Sequence, residues 1–399
     1  MLIVTGAESP RETFNIIRRR MNMFKKVIAI MTATVLAASM LVACGGSTGA
    51  SSSEPAAQEA AEPAAEEAAE PAAEPAADAA GEAAAATDGD LSTKKVGVCI
   101  YQFSDNFMTL FRTELEKYLI EKGFAKENIT IVDGANDQAT QSGQIDSFIS
   151  DKVDVLIINL VNSSSASTVT DKVVAANIPT VYINREPAAD EQQRWADNNW
   201  NVCYVGCDAR QSGTYQGEII ADLGLDAVDF NKNGKIDYIM IKGDPENIDA
   251  QYRTEYSIKA LQDAGLEVNK LDEQVGMWDQ VKGNELVNNA LTQYGNDVEV
   301  VFCNNDAMAL GALQAIQTAG RKVGTDIYLV GVDALTEVVE YVISGDITGT
   351  VFNDHFAQSH NAADAAINYI TGAGNEHNIQ CDYKKVTTEN AQEILDSLK

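Results

Sequence analysis

Two short stretches carry residue types that could do chemistry. In Asp229-Phe-Asn231-Lys-Asn233-Gly234-Lys235-Ile236-Asp237, oxygen side chains fall at positions 1, 3, 5 and 9. Glycine stands at 6 for the sharp turn and an apolar residue at 8, the spacing with which a loop wraps a calcium ion. Lys235, at position 7, would offer only its backbone carbonyl, so its charge is no obstacle. The twelfth position, where a bidentate carboxylate belongs, is Met240, inside an expected strand. The site is therefore incomplete or is completed by a remote acid, and the same residues also make a good turn. The second stretch is Asn304-Asn305-Asp306. An amide pair beyond the carboxyl end of a buried strand can read a polar, uncharged ligand, or it can merely form the turn.

The elements that must position these residues follow from the hydrophobic pattern. Val300 to Cys303 is a short apolar run of the kind buried on both faces. The helix-forming segment from Ala307 follows, with Asp306 expected to cap it. Upstream, strands are expected at Val96 to Tyr101, Ile129 to Val132, Val155 to Asn159, Thr180 to Asn184 and Val202 to Gly206. Helices between them run to about Lys122, over Gln138 to Ser150 and near Ala166 to Ala176, the first with Met108, Phe111, Leu115 and Leu119 at helical spacing. A second series comprises Tyr238 to Lys242, a helix from Asp249, Val298 to Cys303, Tyr328 to Val332 and Thr348 to Phe352. Strands alternating with helices imply α/β architecture with parallel sheets covered on both faces. Two series of similar size imply two lobes.

The 399 residues carry a net charge of −30, which excludes nucleic acid as a partner because its phosphates would repel the chain. Lys25 and Lys26 precede an apolar run, Val27 to Ala43, that ends in Leu41-Val42-Ala43-Cys44-Gly45. A basic start, a short apolar centre and small residues before the cut describe a secretory signal spanning 1–43, with Met21 or Met23 a better start than Met1. The Leu-x-Ala-Cys ending is similar to a bacterial lipobox, so Cys44 is expected to be lipidated and to hold the protein to the membrane outside the cytoplasm. Residues 44–90, rich in Glu-Pro-Ala-Ala and lacking aromatic residues, are expected to form a disordered acidic tether. Of the remaining cysteines, Cys99, Cys203 and Cys303 fall in expected buried strands and Cys207 at the end of one. Their odd number argues against a disulfide framework. With no CxxC pair, and with His355, His360 and His377 apart from any cysteine cluster, no zinc site is expected.

From about Lys94 to the end the chain resembles the bacterial galactose/glucose-binding proteins of sugar ABC transporters. Seven blocks carry the resemblance: YQFSDNFM from Tyr101, YINREP from Tyr182, NKNGKID from Asn231, GMWD from Gly276, VEVVFCNNDAMALGA from Val298, VGVDAL from Val330 and GTVFND from Gly349. It implies two Rossmann-like lobes joined by three hinge crossovers, the type I periplasmic binding protein fold, with residues 91–207 plus 352–386 in one lobe and 208–351 plus 387–399 in the other. Crossovers are expected near Cys207, Val351 and Val386. The resemblance also implies a structural calcium ion held by Asp229, Asn231, Asn233, Lys235 and Asp237 and completed by Glu299. It places the sugar contacts on Asp105, Phe107, Asn184, Asn247, Asp249, Arg253, Trp278, Asn305, Asp333 and Asn353. Asn247 stands where the family usually has histidine, which leaves the choice between glucose and galactose open.

The chemistry of that set suits a hexose. Carboxylates accept from hydroxyls, Arg253 donates and the amides do both, while Phe107 and Trp278 offer flat faces to the apolar sides of the ring. No Gly-x-Ser-x-Gly elbow, phosphate loop or His-Glu-x-x-His motif is present, and Asp105 with Asp249 reads as hydroxyl-binding rather than as a glycosidase pair. No enzyme is expected. The expected partners are a D-glucose or D-galactose ligand, an ABC transporter permease and the membrane, with the protein a monomer. A role as a sensor for a chemoreceptor (chemotaxis) or a membrane kinase, or a ligand such as ribose or xylose, remains an alternative.

Overall fold

A computed structural model describes residues 90–399. The signal segment, Cys44 and the tether lie outside the described residues, which all belong to one compact unit. The first lobe alternates β1 (Val96–Ile100), α1 (Asn106–Glu121), β2 (Ile129–Asp133), α2 (Gln138–Ser150), β3 (Val155–Ile158), α3 (Ala166–Ala175), β4 (Thr180–Ile183), α4 (Ala189–Asn198) and β5 (Val202–Cys207). The chain then crosses into α5 (Ala209–Ala221), the single turn α6 (Leu225–Val228), β6 (Ile236–Lys242), α7 (Ile248–Asp263), β7 (Val268–Val275), α8 (Gln280–Tyr294), β8 (Val300–Cys303), α9 (Asp306–Thr318), β9 (Tyr328–Val330), α10 (Thr336–Ser344) and β10 (Thr350–Phe352). It returns through α11 (His355–Thr371) and β11 (Asn378–Cys381), then ends with β12 (Lys384–Val386) and α12 (Ala391–Ser397).

The first sheet is parallel, in the order β11-β5-β4-β3-β1-β2, and the second is parallel, in the order β7-β6-β8-β9. Strands at the centres of both sheets are buried along their whole length, which is why they read as unbroken apolar runs. Apolar clusters cover both faces of each sheet: Phe111, Leu115 and Val181 on one side of the first and Tyr182 and Trp195 on the other, Val301 and Ile316 on one side of the second and Ile220 and Phe302 on the other. β7 escapes a hydrophobicity reading because it is an edge strand whose Lys270, Asp272 and Glu273 face outward or lie half-buried.

Two expectations are corrected here. The first concerns the cap of α9: Asn305, not Asp306, caps that helix, its Oδ1 accepting from Met308 N at 3.0 Å. Asp306 is the first helical residue and is fully buried, accepting from Thr350 Oγ1 and Leu335 N. The second concerns the return between lobes. Phe352 and Lys384–Val386 do not belong with the first lobe, because β12 pairs antiparallel with β10, which is bridged to the second sheet through Val330–Gly349 and Asp333–Phe352. The three crossovers therefore leave from Cys207, Phe352 and Cys381, a few residues before Val386 in the last case.

Candidate functional site

The site is built at the carboxyl ends of strands and the starts of helices. Asp105 caps α1, its Oδ1 accepting from Met108 N at 2.7 Å, while Tyr101 donates its hydroxyl to the other oxygen at 2.7 Å. Asn247 caps α7 through Asp249 N, and Asn305 caps α9. Three helix N-termini, each with positive dipole character, thus face the same region. Asn184 follows β4, Asp333 lies beyond β9 and Asn353 beyond β10. In a parallel α/β sheet this is where a ligand sits.

A narrow cavity is lined by residues from both lobes. All ten residues assigned to sugar contact, Asp105, Phe107, Asn184, Asn247, Asp249, Arg253, Trp278, Asn305, Asp333 and Asn353, lie on its wall. Tyr101, Met108 and Arg185 line it as well. All three lie inside two of the matched blocks, but the sequence reading gives Met108 only as an apolar helix position and assigns Tyr101 and Arg185 no role in the site. Arg185 is almost fully buried. Its guanidinium sits 3.7 Å over the Tyr101 ring and reaches Asp244 of the other lobe at 3.2 Å. Asn304 is absent from the wall: its Oδ1 accepts from Gly243 N and Thr254 Oγ1, so it ties strand ends together.

Backbone strain marks the same place. Asn184 (φ 62°), Trp278 (φ 63°) and Asp333 (φ 126°) all lie in the left-handed region that non-glycine residues seldom occupy. Trp278 packs against the apolar clusters of both lobes. Its indole lies so close to Gly243 that a Cβ there would fall 2.1 Å from the ring.

The polar groups of the cavity are buried and only partly satisfied. Arg253 donates to Asn304 O at 2.7 Å and Tyr383 Oη at 3.1 Å and lies 3.8 Å from Asp333. Asp249 Oδ1, Arg253 Nε, and Arg185 Nε and Nη2 are buried with no hydrogen-bond partner among the described residues. Burial pushes the Asp249 carboxyl up to about 7, with the Arg253 charge opposing and Glu186 adding to the rise. Asp333 is likewise raised by burial against the opposing effect of Arg253. Sequence had given no reason to expect a perturbed carboxyl at Asp249. Buried groups of this kind cost stability unless something fills their hydrogen bonds.

The loop at Asp229 is organised differently. Asp229 accepts from Asn233 N and Gly234 N, and Asn233 Oδ1 from Lys235 N. The fully buried Glu299 reaches it from before β8, its two oxygens accepting from Asn231 N at 3.0 Å and Asp237 N at 2.9 Å. Asp237 takes the amides of Asn231, Asn233 and Asn269. Burial raises the Glu299 carboxyl, the backbone donors oppose, and the nearby Asp237 charge adds to the rise. No Lys or Arg pairs with Asp229, Asp237 or Glu299 among the described residues, nor are three His, Cys, Asp or Glu side chains gathered around one point there. An oxygen-only donor set with a buried, uncompensated carboxylate fits a hard cation.

Residues 96–374 match the model of the periplasmic binding protein domain. The chain is 38% identical over 267 residues to the D-galactose/methyl-galactoside binding periplasmic protein of Haemophilus influenzae, covering 66% of this chain and 78% of that protein. It is 33% identical over 307 residues to a putative rhizopine-binding protein of Rhizobium meliloti, covering 75% and 92%. Among solved structures, an ABC transporter solute binding protein of Bacillus halodurans with bound myo-inositol superposes with a TM-score of 0.67 at 27% identity, covering 77% of this chain and 99% of that one. A family match across well over half of the length, on two parallel α/β lobes with a shared cavity, means that this chain belongs to the periplasmic binding proteins, which bind solutes and are not enzymes.

Proposed function

We propose that the protein is an extracytoplasmic receptor that captures one monosaccharide, D-galactose or D-glucose, and delivers it to an ABC transporter permease. The observation that carries this reading is the cavity itself. It joins flat faces, Phe107 from one lobe and Trp278 from the other, to buried donors and acceptors that the protein leaves unpaired. A pyranose meets both demands at once: its C–H faces stack on aromatic rings, and each hydroxyl both donates and accepts. The likeness to the Haemophilus galactoside-binding protein supports a hexose. The likenesses to rhizopine- and myo-inositol-binding proteins favour, as a second reading, another polyhydroxylated ring. Closure proceeds by rotation about the three crossovers, and the closed form is the state a permease, or a chemoreceptor or membrane kinase in its place, would recognise.

Within this reading Cys44 carries the lipid that keeps the protein at the membrane; among the described residues no helix is long and apolar enough to cross one. Asp229, Asn231, Asn233, the Lys235 carbonyl, Asp237 and Glu299 would hold a calcium ion, whose charge would compensate Glu299 and pin the loop to β8. A thermal-shift screen of D-galactose, D-glucose, D-ribose, D-xylose and myo-inositol, followed by calorimetry on the best ligand, tests the proposal. D-galactose or D-glucose should stabilise most. Stabilisation by none of them would remove the reading.

A further inference from the structure

Cys207 is the last residue of β5 and Cys381 the last of β11, and the two are register partners in neighbouring parallel strands. Adjacent strands run roughly 4.8 Å apart, and the Cα atoms of a disulfide are separated by about 4.4–6.8 Å. Both thiols are free. Each stands where the chain leaves the first lobe for the second, so they occupy two of the three crossovers. The third supplies Asn353, whose Oδ1 accepts from Cys207 Sγ at 3.7 Å and whose Nδ2 donates to Asp333 Oδ1 at 3.2 Å. The pair thus touches the ligand cavity through a residue on its wall.

The two sulfurs also differ from the other thiols. Cys99 and Cys203 are pushed up to about 12 by burial, Cys303 is raised in the same way, and all three are fully enclosed. Such thiols are inert. Cys381 instead lies at the edge of burial, and the neighbouring Cys207 thiol pulls its pKa below the ordinary value, with Asn361 Nδ2 donating to its sulfur at 3.3 Å. Cys207, facing that sulfur, is held protonated.

We propose that Cys207 and Cys381 are a redox-active pair that closes into a disulfide across the hinge and thereby weakens ligand binding. The oxidant is a low-molecular-mass disulfide. The Cys381 thiolate attacks one of its sulfurs, forming a mixed disulfide and expelling one thiolate. Cys207 then loses its proton to that thiolate and attacks Cys381 Sγ, expelling the second half of the oxidant. Two protein thiols are oxidised and one external disulfide is reduced to two thiols. The bond ties two crossover strands together and removes one of the two donors to Asn353 Oδ1, leaving only Gln358 Nε2 at 2.6 Å, so the contact of Asn353 with Asp333 loosens. The binding consequence rests on the sugar-receptor reading, whereas the disulfide itself does not.

The test is to treat the full chain with oxidised glutathione, unfold it without reductant, alkylate, digest and map the peptides by mass spectrometry. A linked Cys207–Cys381 peptide should appear, with Cys99, Cys203 and Cys303 alkylated, and dithiothreitol should remove it. Cys381→Ser and, as a second variant, Cys381→Ala should give no link. Full alkylation of both thiols in the treated wild type, or adducts of glutathione without a link, would overturn the pair. Calorimetry with the ligand found by the screen should show affinity falling about fivefold on oxidation and returning with reductant, while both variants ignore the oxidant. Unchanged affinity in a protein whose link is proven would overturn the coupling to the site.

Discussion

The cavity between the lobes and the loop at Asp229 are built from the same material, carboxylates and amides at strand ends, and end in opposite conditions. In the loop, the oxygens of Asp229 and Glu299 are met by backbone N–H groups and those of Asp237 by side-chain amides. What is missing there is only positive charge. In the cavity, charge is present in Arg185 and Arg253, yet Asp249 Oδ1, Arg253 Nε and Arg185 Nη2 have no partner. What is missing there is a set of neutral hydroxyls. The difference separates a structural cation site from a ligand site: one asks for compensation, the other for complementarity.

The largest expected effect breaks the cavity side. Asp249→Ala removes a charged acceptor and should weaken hexose affinity by about a hundredfold, with Trp278→Ala costing about tenfold through loss of the stacked face; calorimetry reads both. Affinity that survives both changes would dissolve the distinction, because the cavity would then bind nothing through its unpaired groups.

A smaller effect concerns pH. Asp249 is raised from an ordinary 3.8 to about 7, so the unliganded fold holds a proton that the unfolded chain releases. Its contribution to stability is complete below about pH 4 and is lost as pH rises through 7. The melting temperature of the wild type, compared with Asp249→Asn, should therefore fall between about pH 4 and 7 and level off above. Ligand affinity should rise across the same window, because the ionised carboxylate is the better acceptor, and should stay flat in Asp249→Asn. A wild type and variant that track each other would show the carboxyl already ionised.

The smallest effect sharpens the loop side. Chelation should lower the melting temperature of the wild type by about 5 °C and that of Glu299→Gln much less. Equal shifts would remove Glu299 from the loop.

How much of this was legible beforehand depended on the kind of signal. Central strands such as Val300–Cys303 announced themselves because burial on both faces demands continuous apolar residues, whereas the polar edge strand β7 left no such trace. The ten cavity residues came from motif resemblance, not from local pattern: nothing in the neighbourhood of Asp333 or Asn353 says that two lobes will bring them together. Arg185 follows Asn184 directly but carries no signal of its own in the sequence, since an arginine beside a strand usually points to solvent; only the packed fold buries it against Tyr101. Cys207 and Cys381 are 174 positions apart in number and pair only because α11 carries the chain back to the first sheet. Single-residue identities at helix starts were readable only to within one position, as the exchange of Asn305 for Asp306 as cap shows.

The most direct measurement is a crystal structure of the protein grown with saturating D-galactose or D-glucose. The account predicts one pyranose ring held between Phe107 and Trp278, with Asp249 and Arg253 within hydrogen-bonding distance of its hydroxyls. A sugar bound elsewhere, or rings of Phe107 and Trp278 that face away from a shared ligand, would contradict it.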